Sequence, residues 1–176
     1  VNAAFTYPAD FILIAAMNPC PCGYLGDPQR ECTCTDGEIR RYGQKISGPL
    51  LDRIDLHVSV MRPKYSELTA TIQGEPSCDI AKRVAEARAV QAERLSRWHM
   101  QSNAQMGHRQ LKETCQLDAE GIEMLRVVFE KLHLSARSYD RIIKVARTIA
   151  DLAGSDQIRP EHVAEAISFR NMINGK

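Results

Sequence analysis

The chain has 176 residues, of which 44% are hydrophobic and 26% are charged; this composition excludes a fully disordered protein and supplies enough apolar side chains for a sizeable core. Its 23 basic and 22 acidic residues give a net charge of +1, so the overall charge neither demands nor excludes a nucleic-acid partner. No apolar run approaches the roughly 20 residues needed to span a bilayer, which excludes an integral helical membrane protein.

Residues 1–62 predict part of an α/β domain. The apolar run at 11–16 has the length of a strand buried on both faces of a parallel sheet. Residues 18–37, rich in Pro, Gly and Cys, predict a long loop, and a short helix is expected at about 39–46. The alternating residues 55–60 predict a second strand. Because two strands alone would leave two exposed edges, and the chain does not begin with Met, we expect an excised piece of a larger sheet domain.

The rest of the chain predicts helices. Residues 63–76 are polar and predict a linker, and 77–176 predict an all-helical domain with apolar residues at helical spacing. Asp118 and Ser135 are expected N-caps of two of its helices. Pro160 is expected at the first position of the last helix. The predicted fold is therefore an α/β fragment followed by a helical domain.

Cysteines give the strongest chemical signal in the sequence. Four of the six lie within fifteen residues, as two Cys-x-Cys pairs separated by a nine-residue loop, and four thiolates can close a tetrahedral zinc site. One spacer residue in each pair is tighter than usual, so four reduced thiols that merely fill space remain the alternative. The cluster does not fit a secreted disulfide scaffold and favours a reducing cytoplasm. The predicted ligands are Cys20, Cys22, Cys32 and Cys34, while Cys78 and Cys115 are expected to be buried bystanders.

Three segments carry a family resemblance. Asn-Pro-Cys-Pro-Cys-Gly-Tyr at 18–24, Ser-Gly-Pro-Leu-Leu-Asp-Arg-Ile-Asp at 47–55 and Ala-Arg-Thr-Ile-Ala-Asp-Leu at 146–152 resemble the C-terminal half of an AAA+ ATPase of the magnesium-chelatase-like group. Within that group they are similar to the competence-associated ComM/YifB branch. The resemblance implies the end of an AAA+ parallel-sheet core at 1–62 and a helical lid at 77–176.

The resemblance also implies catalytic roles, residue by residue. Asn18 corresponds to sensor 1, which helps to orient the attacking water, and Arg53 corresponds to the arginine finger that enters a neighbouring subunit's site. Arg137 corresponds to sensor 2 on the lid and is expected to contact the nucleotide, with Arg141 as runner-up. These two and Lys144 form one basic stripe near a helix start.

Each role has a simpler alternative from the residues alone. Asn before Pro often caps a loop, which would explain Asn18. Arg53 could simply pair with Asp52 or Asp55 in a solvated ion pair of little consequence. A stripe of three basic residues is usually a solvated helix face.

A phosphate-binding Gly-x-x-x-x-Gly-Lys-Ser/Thr motif does not occur in the sequence, nor does an apolar strand ending in Asp-Glu. We therefore expect this chain alone to be inactive. The resemblance implies that the parent protein binds ATP and Mg²⁺, assembles into a homo-oligomeric ring, most simply a hexamer, and acts in the cytoplasm as a motor on branched or single-stranded DNA. The alternatives are a protein-remodelling subunit of a metal-insertion system and a zinc-stabilised nucleic-acid-binding module.

Overall fold

The structure is a computed structural model that describes residues 7, 9, 11–65, 69, 74–131 and 134–170. The chain divides into two compact units, 1–47 and 48–176. The described α-helices are α1 (Asp36–Gly43), α2 (Gly48–Arg53), α3 (Ser77–Leu95), α4 (His108–Thr114), α5 (Ala119–Lys131), α6 (Ala136–Leu152) and α7 (Pro160–Ser168). Two short 3₁₀ turns, Ser96–Trp98 and Asn103–Gln105, lie between α3 and α4.

The two predicted strands do not form. Residues 11–16 and 55–60 lie outside any strand or helix, and the side chains of Ile14 and Val60 are each 89% exposed. A strand is stabilised by backbone hydrogen bonds to a neighbouring strand, and the described part of the chain provides no such neighbour to either segment. The strand prediction was therefore wrong for this structure, although the apolar pattern that suggested it is real.

Helix α1 is the one regular element in the first unit among the described residues. It begins three residues before the predicted start because Thr35 caps it: the Thr35 hydroxyl accepts from the Glu38 amide at 3.3 Å, and the Glu38 carboxylate accepts from the Thr35 amide at 2.8 Å. This reciprocal capping box satisfies two amides that the first turn would otherwise leave free. Gly43 is the last helical residue.

Local signals placed the helices of the second unit correctly. The Asp118 carboxylate accepts from the Gly121 amide at 2.7 Å at the start of α5. The Ser135 hydroxyl accepts from the Ser138 amide at 3.1 Å at the start of α6, and Pro160 is the first residue of α7. Half of the predicted linker, residues 66–68 and 70–73, lies outside the described ranges.

Helix α6 is the centre of the second unit. It packs against α3, α4 and α7, and α5 packs against α7. The face of α6 toward these helices is apolar, with Ile142, Ala146 and Ala150 at most 1% exposed. Across the core they meet Leu95 of α3 and Val163 of α7. Burial of this shared face supplies the stability that the individual helices lack.

A buried ionic network joins the same helices. Both oxygens of Asp151 accept from the Arg94 guanidinium at 2.7 Å, and one accepts from Arg147 Nε at 3.0 Å. Asn103 donates to the same carboxylate at 2.9 Å. Arg147 also donates to the backbone carbonyl oxygens at 155–156. Asp151 thus joins α3, α6 and a 3₁₀ turn, and Arg147 extends the network to the loop after α6.

Among the described helices, none is long and apolar enough to cross a bilayer.

Candidate functional site

The four clustered cysteines lie together in the first unit. The sulfur atoms of Cys20 and Cys22 are 3.4 Å apart, those of Cys20 and Cys32 are 3.6 Å apart, and those of Cys22 and Cys32 are 3.5 Å apart. With Cys34, all four sulfurs lie within 4.8 Å of one another. These separations are far longer than the ~2.05 Å of a disulfide, so the four residues are free thiols.

Tight turns bring the two cysteine pairs together. The Gly23 amide donates to the Cys20 carbonyl at 3.1 Å, and the Asp27 amide donates to the Tyr24 carbonyl at the same distance. Gly23 and Gly26 both have φ of +83°, a left-handed conformation that residues with a Cβ rarely adopt. The loop therefore reverses direction without strain, as the spacing of the cysteines requires.

Hydrogen bonds and desolvation shift the pKa values of Cys22 and Cys34 in opposite directions. Backbone hydrogen bonds from Tyr24 and Thr33 lower the pKa of Cys22 to about 5. A backbone hydrogen bond from Cys22 lowers the pKa of Cys34, but desolvation and the neighbouring sulfurs outweigh it and raise that pKa to about 12. Cys22 therefore carries negative charge at neutral pH while Cys32 and Cys34, whose pKa values are raised, retain their protons. A cation placed among the four sulfurs would favour their thiolate forms.

The arrangement fits a tetrahedral metal ion. Four sulfurs at the usual Zn–S distance of about 2.3 Å lie roughly 3.8 Å apart, close to the separations of 3.4–3.6 Å found between three of the pairs. The cluster consists of Cys20, Cys22, Cys32 and Cys34, as the sequence predicted. Cys115 is buried in the core of the second unit, as predicted, but Cys78 is exposed on α3, so the prediction that Cys78 is buried was wrong. Neither belongs to the four-cysteine cluster.

Asn18, the predicted sensor 1, lies two residues before the cysteine cluster. It is exposed, and it follows the apolar segment that does not form a strand. A side chain added at Gly23 would meet the Asn18 amide at 3.9 Å, so the amide lies beside the first turn of the loop. The structure gives Asn18 no hydrogen bond within the described ranges.

Arg53, the predicted arginine finger, is the last residue of α2 and is exposed. The simpler alternative paired it with Asp52 or Asp55, but both carboxylates are engaged elsewhere in the second unit. Asp52 accepts from the Ser138 hydroxyl at 2.5 Å, and Asp55 lies 3.1 Å from the Arg141 guanidinium. Among the described residues Arg53 makes no ion pair, so its guanidinium is available to an external anion.

The basic stripe on α6 also contains both paired and unpaired residues. Arg141 is paired with Asp55, and the Lys144 ammonium donates to the Ala104 carbonyl at 3.0 Å. Arg137 is exposed in the first turn of α6 and has no hydrogen bond or ion pair to any described residue. Of the two residues predicted for sensor 2, Arg137 is therefore the one whose charge is free.

Helix α3 does not present a continuous basic surface. Arg83 forms a two-point ion pair with Glu75 at 2.7 and 3.0 Å. Arg94 points into the buried network with Asp151. Two of the four basic residues of α3 are therefore already balanced by carboxylates. In the 3₁₀ turn that follows, Arg97 pairs with Glu113 at 2.8 Å.

The family comparisons agree with the motif resemblance. The description "Magnesium chelatase, subunit ChlI C-terminal" matches residues 74–170, and "Magnesium chelatase, subunit ChlI" matches residues 1–68. The chain belongs to the magnesium chelatase ChlI family. In that family, the helical second unit is consistent with the C-terminal lid, whereas the parallel-sheet core is not seen in the described residues.

Several curated relatives share this ChlI-type sequence. Competence protein ComM of Haemophilus influenzae is 39% identical over 174 residues, which are 98% of this chain and 33% of the relative. The uncharacterized protein YifB of Escherichia coli is 40% identical over 171 residues, or 96% of this chain and 32% of the relative. An uncharacterized protein of Mycobacterium tuberculosis is 39% identical over 93% of this chain and 32% of the relative. The chain spans about a third of the length of these relatives.

The sequence did not reveal the residues that hold α2 in place. Asp52 accepts hydrogen bonds from Ser135 and Ser138, and Arg170 donates toward the same group. These contacts join positions 83 to 118 residues apart. Periodicity reports which face of one helix is buried, but it carries no signal for pairing between distant polar residues.

Proposed function

We propose that the longer protein containing this ChlI-family chain is an ATP-hydrolysing, ring-forming motor that acts on branched DNA, with Mg²⁺ and ATP bound mainly by residues outside this chain. A hexamer in the cytoplasm is the proposed assembly. The DNA substrate is inferred from the competence branch, whose relative ComM is named a competence protein. Asn18, Arg53 and Arg137 are the proposed sensor 1, arginine finger and sensor 2.

The observation that carries this proposal is the availability of Arg53. Its acidic neighbours Asp52 and Asp55 are bound by other residues, which leaves an exposed cation at the end of a short helix. A free guanidinium can enter the nucleotide site of an adjacent subunit and stabilise charge that develops during phosphoryl transfer, an effect worth about 10³- to 10⁵-fold in rate. Arg137 is supported by the same argument.

We propose that the four cysteines bind a structural Zn²⁺. The supporting observations are four convergent thiols, sulfur separations near those of a tetrahedral site, and a loop without other regular structure. All four coordination positions would be taken by protein sulfurs, as in structural rather than catalytic zinc sites. The ion would hold the loop after Asn18 in one conformation.

The test is steady-state ATP hydrolysis by the full-length protein with and without four-way-junction DNA. We expect the junction to stimulate hydrolysis, and we expect Arg53→Ala to lower kcat by at least about 10³-fold. Arg109→Ala is the matched control, because Arg109 is an exposed arginine of α4 whose side chain is 81% accessible and pairs only with Glu113 among the described residues. Unchanged kcat in Arg53→Ala would contradict the finger assignment.

Remodelling of a protein client is the second candidate function. The ChlI family description favours it, because that description names a magnesium chelatase subunit. In this case hydrolysis would be indifferent to junction, duplex and single-stranded DNA while still depending on Arg53. The same titration of DNA into the ATPase assay therefore separates the two candidates.

A further inference from the structure

Helix α2 is fastened to the start of α6 by four side chains, which we call the clasp: Asp52, Ser135, Ser138 and Arg170. The Asp52 carboxylate accepts from the Ser138 hydroxyl at 2.5 Å and from the Ser135 hydroxyl at 3.3 Å. Ser135 is also the N-cap of α6. The negative charge of Asp52 therefore sits where the helix dipole and two hydroxyl donors favour it.

Arg170 closes the clasp from the segment after α7. Its guanidinium donates to the Ile54 carbonyl at 2.6 Å, to the Ser138 hydroxyl at 3.0 Å and to Asp52 at 3.4 Å. The Arg170 side chain is only 6% exposed, so these contacts are largely shielded from water. The Ser138 hydrogen bond, with those from Ser135 and the charge of Arg170, lowers the pKa of Asp52 despite partial burial.

Two further contacts extend the attachment beyond the clasp. The His57 amide donates to the Phe169 carbonyl at 2.9 Å, and Asp55 pairs with Arg141 of α6 at 3.1 Å. Segment 48–57 is thus joined both to the first half of α6 and to the end of α7. A six-residue helix such as α2 is too short to be stable in isolation, and no residue of α2 is buried in an apolar core. Its position depends on these polar contacts.

We infer that Asp52, Ser138 and Arg170 are positioning residues that make α2 part of the lid, so that Arg53 is carried by the lid at a fixed separation from Arg137. This inference rests on the proposed role of Arg53. Arg53 directly follows Asp52, and Arg137 directly precedes Ser138. Both free arginines are therefore one residue away from the same network, and neither can shift far while the clasp is closed.

The expected effect on activity follows from geometry. A displacement of about 1 Å in a positioned catalytic group can cost about 100-fold in rate. Opening the clasp leaves the Arg53 side chain intact but unfixed, so we expect kcat to fall about 100-fold, less than the loss for Arg53→Ala. The KM for ATP should stay within about twofold, because the proposed role of the clasp involves no contact with the nucleotide.

The test compares clasp variants of the full-length protein in two assays, amide hydrogen exchange and ATP hydrolysis. The variants are Asp52→Ala and Ser138→Ala, with Ser138→Thr as the conservative variant that restores the hydroxyl. Glu120→Gln and Ser96→Ala are matched controls, because both residues are exposed in the second unit and their side chains make no hydrogen bond or ion pair with any described residue. We expect exchange in segment 48–57 to accelerate at least tenfold in the two alanine variants, while α3 to α7 stay protected.

The outcomes separate failure of this inference from failure of the proposed function. Faster exchange at 48–57 together with lower kcat, both reversed in Ser138→Thr, would support the positioning role. Unchanged exchange in Asp52→Ala would overturn it, and so would faster exchange with unaltered kcat in a protein that Arg53→Ala inactivates. If Arg53→Ala leaves kcat intact, the proposed finger is wrong and the positioning role is rejected with it.

Discussion

Replacing Asp151 by Asn should strongly destabilise the helical unit. The Asp151 side chain is fully buried and its oxygens accept from Arg94, Arg147 and Asn103. An Asn side chain has nearly the same shape but no charge, and its amide group would point one donor at guanidinium donors. Two arginines would then lack their counter-ion, one of them, Arg147, with a side chain only 2% exposed.

The magnitude follows from the cost of an unpaired buried charge. Removing one partner of a buried ion pair typically costs about 3–5 kcal/mol, whereas an exposed pair such as Arg83–Glu75, with side chains 50% and 44% accessible, contributes at most about 1 kcal/mol. For a domain of about 100 residues, each kcal/mol lowers the melting temperature by roughly 4–8 °C. Asp151→Asn should therefore lower it by at least about 12 °C.

The assays are thermal unfolding and urea unfolding of the chain, both monitored by far-ultraviolet circular dichroism. Asp156→Asn is the matched control, since this exposed carboxylate lies five residues further on and makes no hydrogen bond or ion pair within the described ranges. We expect its effect to stay within about 0.5 kcal/mol. A loss below about 1 kcal/mol for Asp151→Asn would refute the claim that the carboxylate is essential to the network.

The pH dependence of the same variant provides an independent check. Burial alone would raise the pKa of Asp151, but the hydrogen bonds from Arg94 and Asn103 and the arginine charges lower it below the ordinary value of 3.8. Because the folded-state pKa is lower than the unfolded one, the carboxylate contributes its full stability above that ordinary value and loses it as the pH falls through the folded pKa. The difference between wild type and Asp151→Asn should shrink over that acidic range.

Two further predictions concern the cysteine loop and the end of α6. After zinc loading and desalting, the wild-type chain should retain one Zn²⁺ by elemental analysis, Cys32→Ser should retain none, and Cys78→Ser should match wild type; retention of zinc by Cys32→Ser would argue against the site. Gly154→Ala should destabilise the second unit by about 1–2 kcal/mol, because Gly154 has φ of +66° with no atom crowding an added methyl group, so backbone strain alone acts. Gly43→Ala, at a helical position, should be neutral or slightly stabilising in the same urea titration, and equal losses in the two variants would contradict this reasoning.

The sequence predicted what depends on local chemistry. Ser135 and Pro160 begin helices because capping and proline geometry need only a few neighbouring residues. The four-cysteine cluster was predicted for a similar reason, because the short Gly-containing loop between the two cysteine pairs can fold back and bring them together. These features were read from composition and spacing alone, without knowledge of the fold.

The features that the sequence did not predict depend on pairing between distant positions. The segments at 11–16 and 55–60 have the composition of strands, yet strand formation requires a partner that the described chain does not provide to them. The bond between Asp52 and Ser138 spans 86 positions, and the contact between Asp52 and Arg170 spans 118. Polar residues at such separations show no periodicity, so neither the clasp nor the Asp151 network could be predicted.

The junction between the cysteine loop and α1 limits which positions of this region can change in sequence among related chains. Cys34 is followed directly by Thr35, whose hydroxyl caps α1, and none of the eight residues of α1 is buried. A helix this short is marginal in water, so its order depends on the cap and on the loop that precedes it rather than on a packed face. The outward-facing residues of α1 are therefore free to drift in sequence, whereas Thr35, Glu38 and the adjoining cysteine are constrained together. Related chains should preserve these three positions as a block even where the rest of the helix has diverged.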